Sequence, residues 1–150
     1  MRYTLFLGFL LLFIIASSQD IQQKDGLYYI NGDLFSGIFT QTNENGEITA
    51  KLNIKNGRFH GKSEYYFSDG SIKEIRIFRN GLKHGTWLQY NEKGVLVSLA
   101  KYKKDKKHGN WRIWDDTGQL RYSLNYKNGE KSGVWEMWDE NGVSISKKNY

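Results

Sequence analysis

Neither cysteine nor proline occurs anywhere in these 150 residues, and each absence closes off a class of protein. Without cysteine there is no disulfide framework, no thiolate metal site and no cysteine nucleophile, so stability rests on packing and hydrogen bonds. Without proline every backbone N–H remains available as a donor, which suits long sheet ladders. Long apolar runs are scarce as well: the one at residues 5–15 is shorter than the roughly 20 residues that a bilayer-spanning helix needs. The sequence contains no phosphate-cradling glycine loop, HExxH or GxSxG, and no serine carries a local hydrolase signature.

What the chain has in quantity is aromatic side chain and glycine. Five Trp, ten Tyr and eight Phe make up 15% of it, beside 16 Gly, a composition that favours pleated surfaces and an all-β fold. The length predicts a single domain. At the amino terminus Arg2, the apolar run and Ala16-Ser17-Ser18 follow one another in the order of a secretory signal. Cleavage is expected after Ser18, giving a protein that is periplasmic, associated with the cell envelope or secreted; an uncleaved anchor is the alternative. Only Arg2 is charged in residues 1–18, so the mature chain carries +5 where the whole chain carries +6.

A 24-residue period organises everything that follows. Gly37, Gly61, Gly85, Gly109 and Gly133 are one period apart, as are Gly46, Gly70, Gly94, Gly118 and Gly142. A third set, Gly57, Gly81 and Gly129, keeps the same register with Asp105 in its one gap. Counted from the first glycine of each unit, position two is Phe39, Ser63, Trp87, Trp111 and Trp135, and position five is Thr42, Tyr66, Tyr90, Trp114 and Trp138. After the second glycine, apolar side chains alternate, as in Ile48, Ala50, Leu52 and Ile54, with polar residues such as Lys51 and Asn53 between them. That period of two marks a strand with one buried face.

Each unit therefore reads as a short strand of about six residues, a turn, a longer strand of about nine, and a second turn. Asn45-Gly46, Asp69-Gly70 and Asn141-Gly142 supply one set of turns, and Asn56-Gly57, Asn80-Gly81 and Asn128-Gly129 the other, since both residue types tolerate positive φ. A lone hairpin is marginal in water, but stacked repeats cover one another. The expected fold is an elongated single-layer antiparallel β-meander of hairpin repeats over residues 37–60, 61–84, 85–108, 109–132 and 133–150. Residues 19–36 are expected to supply a capping strand at 27–30.

The pattern Gly-x-Trp-x-x-Tyr/Trp, then Asn/Asp-x-x-Gly-x-Leu, then Tyr-x-x-Gly-x-x-His-Gly resembles the MORN-repeat variant found in bacterial proteins, some of them named YwqK-family antitoxins. Gly85-Thr86-Trp87, Gly109-Asn110-Trp111 and Gly133-Val134-Trp135 carry the match, with Lys83-His84-Gly85 and Lys107-His108-Gly109 ahead of the first two. Ser63 and Ser132 depart from it at a tryptophan and a histidine position. The resemblance implies a non-enzymatic surface for partners or lipids, and, through the antitoxin name, the alternative of an antitoxin or immunity protein. A signal peptide argues against a toxin in the cytoplasm and leaves an exported or incoming one.

Candidate chemistry is sparse. His60, His84 and His108 share one column, which places them about 10 Å apart at two strands per unit, too far to share a metal ion. A histidine bonding to backbone beside Gly61, Gly85 or Gly109 is the better account. Asp115-Asp116, Asp139-Glu140 and Glu44 sit at equivalent turns, where carboxylates bond local backbone rather than face each other across a cleft.

The aromatic columns, Trp87, Trp111 and Trp135 with Tyr90, Trp114 and Trp138, are read first as packing and also as a candidate surface for peptides or sugars. Positions two and five have opposite parity, so either both faces carry aromatics or a bulge intervenes. Lys103, Lys104, Lys106 and Lys107 form a basic segment able to meet lipid head groups, polysaccharide or an acidic protein. The expected function is an exported non-enzymatic scaffold with a protein partner foremost and anionic lipid or glycan behind it. Neither a cofactor nor nucleic acid is expected.

Overall fold

The computed structural model describes residues 20–150; the expected signal peptide lies outside the described residues. Strands β1 (Ile21–Lys24), β2 (Leu27–Ile30) and β3 (Asp33–Leu34) form a small antiparallel sheet of their own. The cap is thus three strands where one was expected. Asp25-Gly26 and Asn31-Gly32, all four at positive φ, turn the chain back on both sides of β2.

Five hairpins follow. They are β4 (Gly37–Thr42) with β5 (Ile48–Lys55) and the two-residue β6 (Arg58–Phe59); β7 (Gly61–Tyr66) with β8 (Ile72–Arg79) and β9 (Leu82–Lys83); β10 (Gly85–Tyr90) with β11 (Leu96–Lys103) and β12 (Lys106–Lys107); β13 (Gly109–Trp114) with β14 (Leu120–Lys127) and β15 (Glu130–Lys131); and β16 (Val134–Trp138) with β17 (Ser144–Asn149). Spatial order equals chain order, β4-β5-β7-β8-β10-β11-β13-β14-β16-β17. The described residues form an all-β antiparallel meander without a helix. Four of the long strands hold eight residues rather than nine.

The two rows of turns differ in kind. After each complete long strand, two successive residues take positive φ: Asn56-Gly57, Asn80-Gly81, Lys104-Asp105 and Asn128-Gly129. Such turns match the twist of the flanking strands. In the opposite row only the glycine is at positive φ, and not Asn45, Asp69 or Asn141 as the sequence suggested. There the first turn residue holds the loop instead. Asp115 Oδ1 accepts the backbone N–H groups of Thr117 and Gln119 at 2.9 and 3.0 Å, and Asn43, Asn91 and Asp139 do the same in their units.

Every hairpin also carries one β-bulge at the same place, between Gln41 and Thr42, Tyr65 and Tyr66, Gln89 and Tyr90, Ile113 and Trp114, and Met137 and Trp138. The residue without an opposite number lies on the longer strand: Thr49, Lys73, Val97, Arg121 or Ile145. The short strand keeps its alternation undisturbed, so positions two and five point to opposite faces.

Among the described residues, the cluster of buried side chains lies under the cap. Tyr28, Ala50, Leu52 and Ile54 are buried there, with Ile21, Phe35, Phe39, Phe59 and Tyr65 against them. Two backbone bonds lock the cap to the first long turn, Tyr28 N–H to Gly57 O and Gly57 N–H to Phe35 O, and a third, Phe35 N–H to Tyr28 O, closes the cap on itself, all 2.8 to 2.9 Å. Elsewhere the sheet is a single layer that must hydrate or cover its own faces.

Candidate functional site: two aromatic stripes on opposite faces

On the face that the cap covers, an unbroken chain of rings runs to the carboxyl terminus. Phe59 stacks on Phe78 at 4.8 Å, and from Phe78 the contacts pass through Trp87, Tyr102, Trp111, Tyr126, Trp135 and Tyr150 at 5.0 to 5.4 Å between centroids. The tryptophan comes from the short strand and the tyrosine from the end of the long one, where register places Gly85 opposite Tyr102 and leaves room for the ring. Each indole is also tethered. Trp87, Trp111 and Trp135 donate Nε1–H to the carbonyls of Ile77, Lys101 and Asn125, ten residues earlier in each case, at 2.8 to 2.9 Å.

In each of the last three units a lysine lies over the Trp–Tyr pair. Lys83 sits 5.0 and 5.2 Å from the centroids of Trp87 and Tyr102, Lys107 4.5 and 4.8 Å from Trp111 and Tyr126, and Lys131 4.4 and 4.7 Å from Trp135 and Tyr150. Cation–π attraction and the alkyl stems together roof the ladder. Phe59 occupies the same column one unit earlier and stacks on Phe78, while Ser63, at the tryptophan position, is fully buried with its hydroxyl unpartnered. The ladder is thus bonded, roofed and continuous: the packing element expected of Trp87, Trp111 and Trp135.

The second stripe is different. Tyr66, Tyr90, Trp114 and Trp138 point to the other face, between the aliphatic residues Ile48, Ile72, Leu96 and Leu120 of neighbouring strands. Tyr66 shows the direction: its hydroxyl lies 3.4 Å from Glu64 Oε2 and its ring under Lys51, side chains of that same face. Burial first, and then the Glu64 charge, raise the Tyr66 hydroxyl above its usual pKa. None of the four rings pairs with another aromatic among the described residues, and all four are partly exposed. An open, mainly apolar hollow of about 300 Å³ lies beside Tyr66, bounded by Ile48, Lys51 and Gly70.

This face is less wet than the polar alternation suggested. Ile75, Leu88 and Leu99 lie opposite one another across β8, β10 and β11 and are partly buried, continuing the stripe toward Arg112. The six aromatic candidates therefore do not share one surface. Trp87, Trp111 and Trp135 belong to the roofed ladder; Tyr90, Trp114 and Trp138 belong to the open stripe.

The basic segment divides in the same way. Lys107 is part of the roof, whereas Lys103, Lys104 and Lys106 are exposed around the turn that Lys103 and Lys106 close by pairing. Asp105 accepts the Lys83 backbone N–H at 2.7 Å from that turn. The histidines bond to the next turn rather than beside their own glycine: His60 Nδ1 lies 3.0 Å from Asn80 Oδ1, and Asn128 N–H approaches His108 Nδ1 at 3.5 Å. His84, whose counterpart turn is Lys104-Asp105, is left with a buried, unpartnered Nδ1.

At the opposite turns the carboxylates serve the loops. Asp115 Oδ1 accepts the Thr117 hydroxyl at 2.6 Å and Oδ2 pairs with Arg121 at 2.6 Å; the hydroxyl foremost, with the backbone N–H groups and Arg121, holds its pKa at about 2. The ladder's lysine column and the direction of position five both escaped the sequence reading; the first was visible as a 24-residue period, the second was not.

Comparison with known families matches the MORN repeat variant over residues 59–80, 83–104, 107–128 and 131–150. No curated protein matches the chain.

Proposed function

The chain belongs to the MORN repeat variant family, and from that premise we propose that it is an exported, non-enzymatic scaffold that holds a protein partner against its open aromatic stripe. The observation that supports this reading is the contrast between the two stripes. Rings that pack for stability here are stacked, tethered through Nε1 and roofed by lysine; Tyr90, Trp114 and Trp138 have none of these ties, Tyr90 and Trp114 standing opposite Leu96 and Leu120 and Trp138 opposite Ser144, on a face that no other part of the described chain covers. Half-exposed aromatics flanked by aliphatics and an arginine match the composition of protein-binding hot spots. An anionic lipid or glycan of the envelope is the alternative ligand for the same protein.

Affinity capture with residues 19–150 from the parent cell envelope, read by mass spectrometry, tests the proposal. A partner recovered by the wild type and lost on Trp114→Ala and Trp138→Ala, with far-UV circular dichroism unchanged, supports it. If the partner survives both substitutions, the stripe is not the contact. A single stoichiometric toxin-like protein among the recovered species assigns the scaffold to immunity.

A further inference from the structure

The meander sorts charge by edge. Turns that follow the long strands line one edge of the ribbon, and within residues 55–60, 79–84, 103–108 and 127–132 they hold ten Lys or Arg against Asp105 and Glu130. Turns inside the hairpins line the other edge, and residues 43–47, 67–71, 91–95, 115–119 and 139–143 hold eight Asp or Glu against Lys93. Within each edge one column stands out. Lys55, Arg79, Lys103 and Lys127 are one unit apart, all cationic and all exposed. Glu44, Glu92, Asp116 and Glu140 hold the other column, exposed as well, with Ser68 in its one gap. None of these eight side chains enters an ion pair among the described residues, in contrast to Asp115, which its own loop consumes.

Both columns repeat every two strands, a step of about 10 Å, so they match each other in sign and in spacing. We propose that the occupant of each edge is a second copy of this chain, the basic edge of one ribbon lying against the acidic edge of the next. A contact between unlike edges is heterologous and leaves a free edge of each sign, so growth is open-ended rather than closed at a dimer. Sheet twist turns the two rows away from each other on either side of the nearest approach, which confines each contact to a few units. Exposed ion pairs are individually weak, so association belongs to high protein concentration and low ionic strength. It is independent of the partner read on the open stripe.

Sedimentation equilibrium of residues 19–150 tests this without any substitution. In about 0.01 M salt, where screening sets in only over roughly 30 Å, the weight-average mass rises with concentration above that of one chain; in about 1 M salt, with screening at roughly 3 Å, it returns to one chain. Two variants then identify the edges: Lys55, Arg79, Lys103 and Lys127 all replaced by Glu, and Glu44, Glu92, Asp116 and Glu140 all replaced by Lys. Each alone stays a single chain, and an equimolar mixture of the two associates again. A wild type that is a single chain at every salt concentration, or a mixture that fails to associate, overturns the proposal. So does a basic edge that binds vesicles of anionic phospholipid while no self-association is seen.

Discussion

Replacing Trp111 with Ala should unfold the molecule more readily than replacing Trp114, although the two tryptophans are three residues apart on one strand. Full truncation of a core tryptophan costs about 3 to 5 kcal/mol, but Trp111 is only partly buried, so roughly half of that applies. To this is added the Nε1–H bond to Lys101 O, worth about 1 kcal/mol. Its ring pairs with Tyr102 and Tyr126, at 5.1 and 5.4 Å, are already part of the truncation cost, so the sum is about 3 kcal/mol. For a chain of this size that lowers the thermal midpoint by about 10 °C. Trp114 has neither the bond nor the ring pairs, and its loss should cost about 1 kcal/mol. Trp111→Phe keeps the ring contacts and should fall between them. The assay is thermal unfolding followed at a β-sheet band in the far ultraviolet for the three variants side by side. If Trp114→Ala proves as damaging as Trp111→Ala, the division into a structural ladder and an open stripe is wrong.

Three further outcomes can be checked on the same footing. Ser63→Ala removes a buried hydroxyl that has no partner and should stabilise the protein by about 1 kcal/mol in urea unfolding, where a loss of stability would show that the hydroxyl is satisfied after all. Gly57→Ala places a methyl group 2.7 Å from Leu34 and 3.0 Å from the Tyr28 carbonyl at a φ of +70°; amide exchange should show the cap released while β10 to β17 stay protected. Asp115 has a folded pKa of about 2, below its ordinary 3.8, so its contribution is present above pH 4 and fades as the pH falls through 2. The midpoint difference between wild type and Asp115→Asn should therefore close between about pH 4 and pH 2, and a constant difference across that window would count against the turn assignment.

Much of the architecture was legible because the turns demand residue types that betray themselves. Asn56-Gly57 and its counterparts must adopt positive φ, and only a few residues do so cheaply, so a 24-residue period of glycine and asparagine dictates a meander. The bulge left no such trace. Its extra residue is Thr49, Lys73, Val97, Arg121 or Ile145, a set without common chemistry, because the strain is absorbed by backbone rather than by a particular side chain. For that reason parity posed the question of the two faces and only the fold answered it. Lys83, Lys107 and Lys131 illustrate a different gap: their spacing was readable, but the positions of the charges over the rings depend on where β9, β12 and β15 fold back. At the cap, β1 reads Ile-Gln-Gln-Lys and has no apolar alternation to announce it.

The strict agreement between spatial order and chain order has a mechanical consequence. The amino-terminal cap sits at one end of the ribbon and Tyr150, bonded to Gly133, at the other, so tension between the termini runs along the hydrogen bonds and opens them one after another. Each 24-residue unit that peels away lets out at most about 80 Å of extended chain. A stretched molecule therefore lengthens in four similar steps and one shorter one at low force, behaving as an extensible tether rather than a rigid strut.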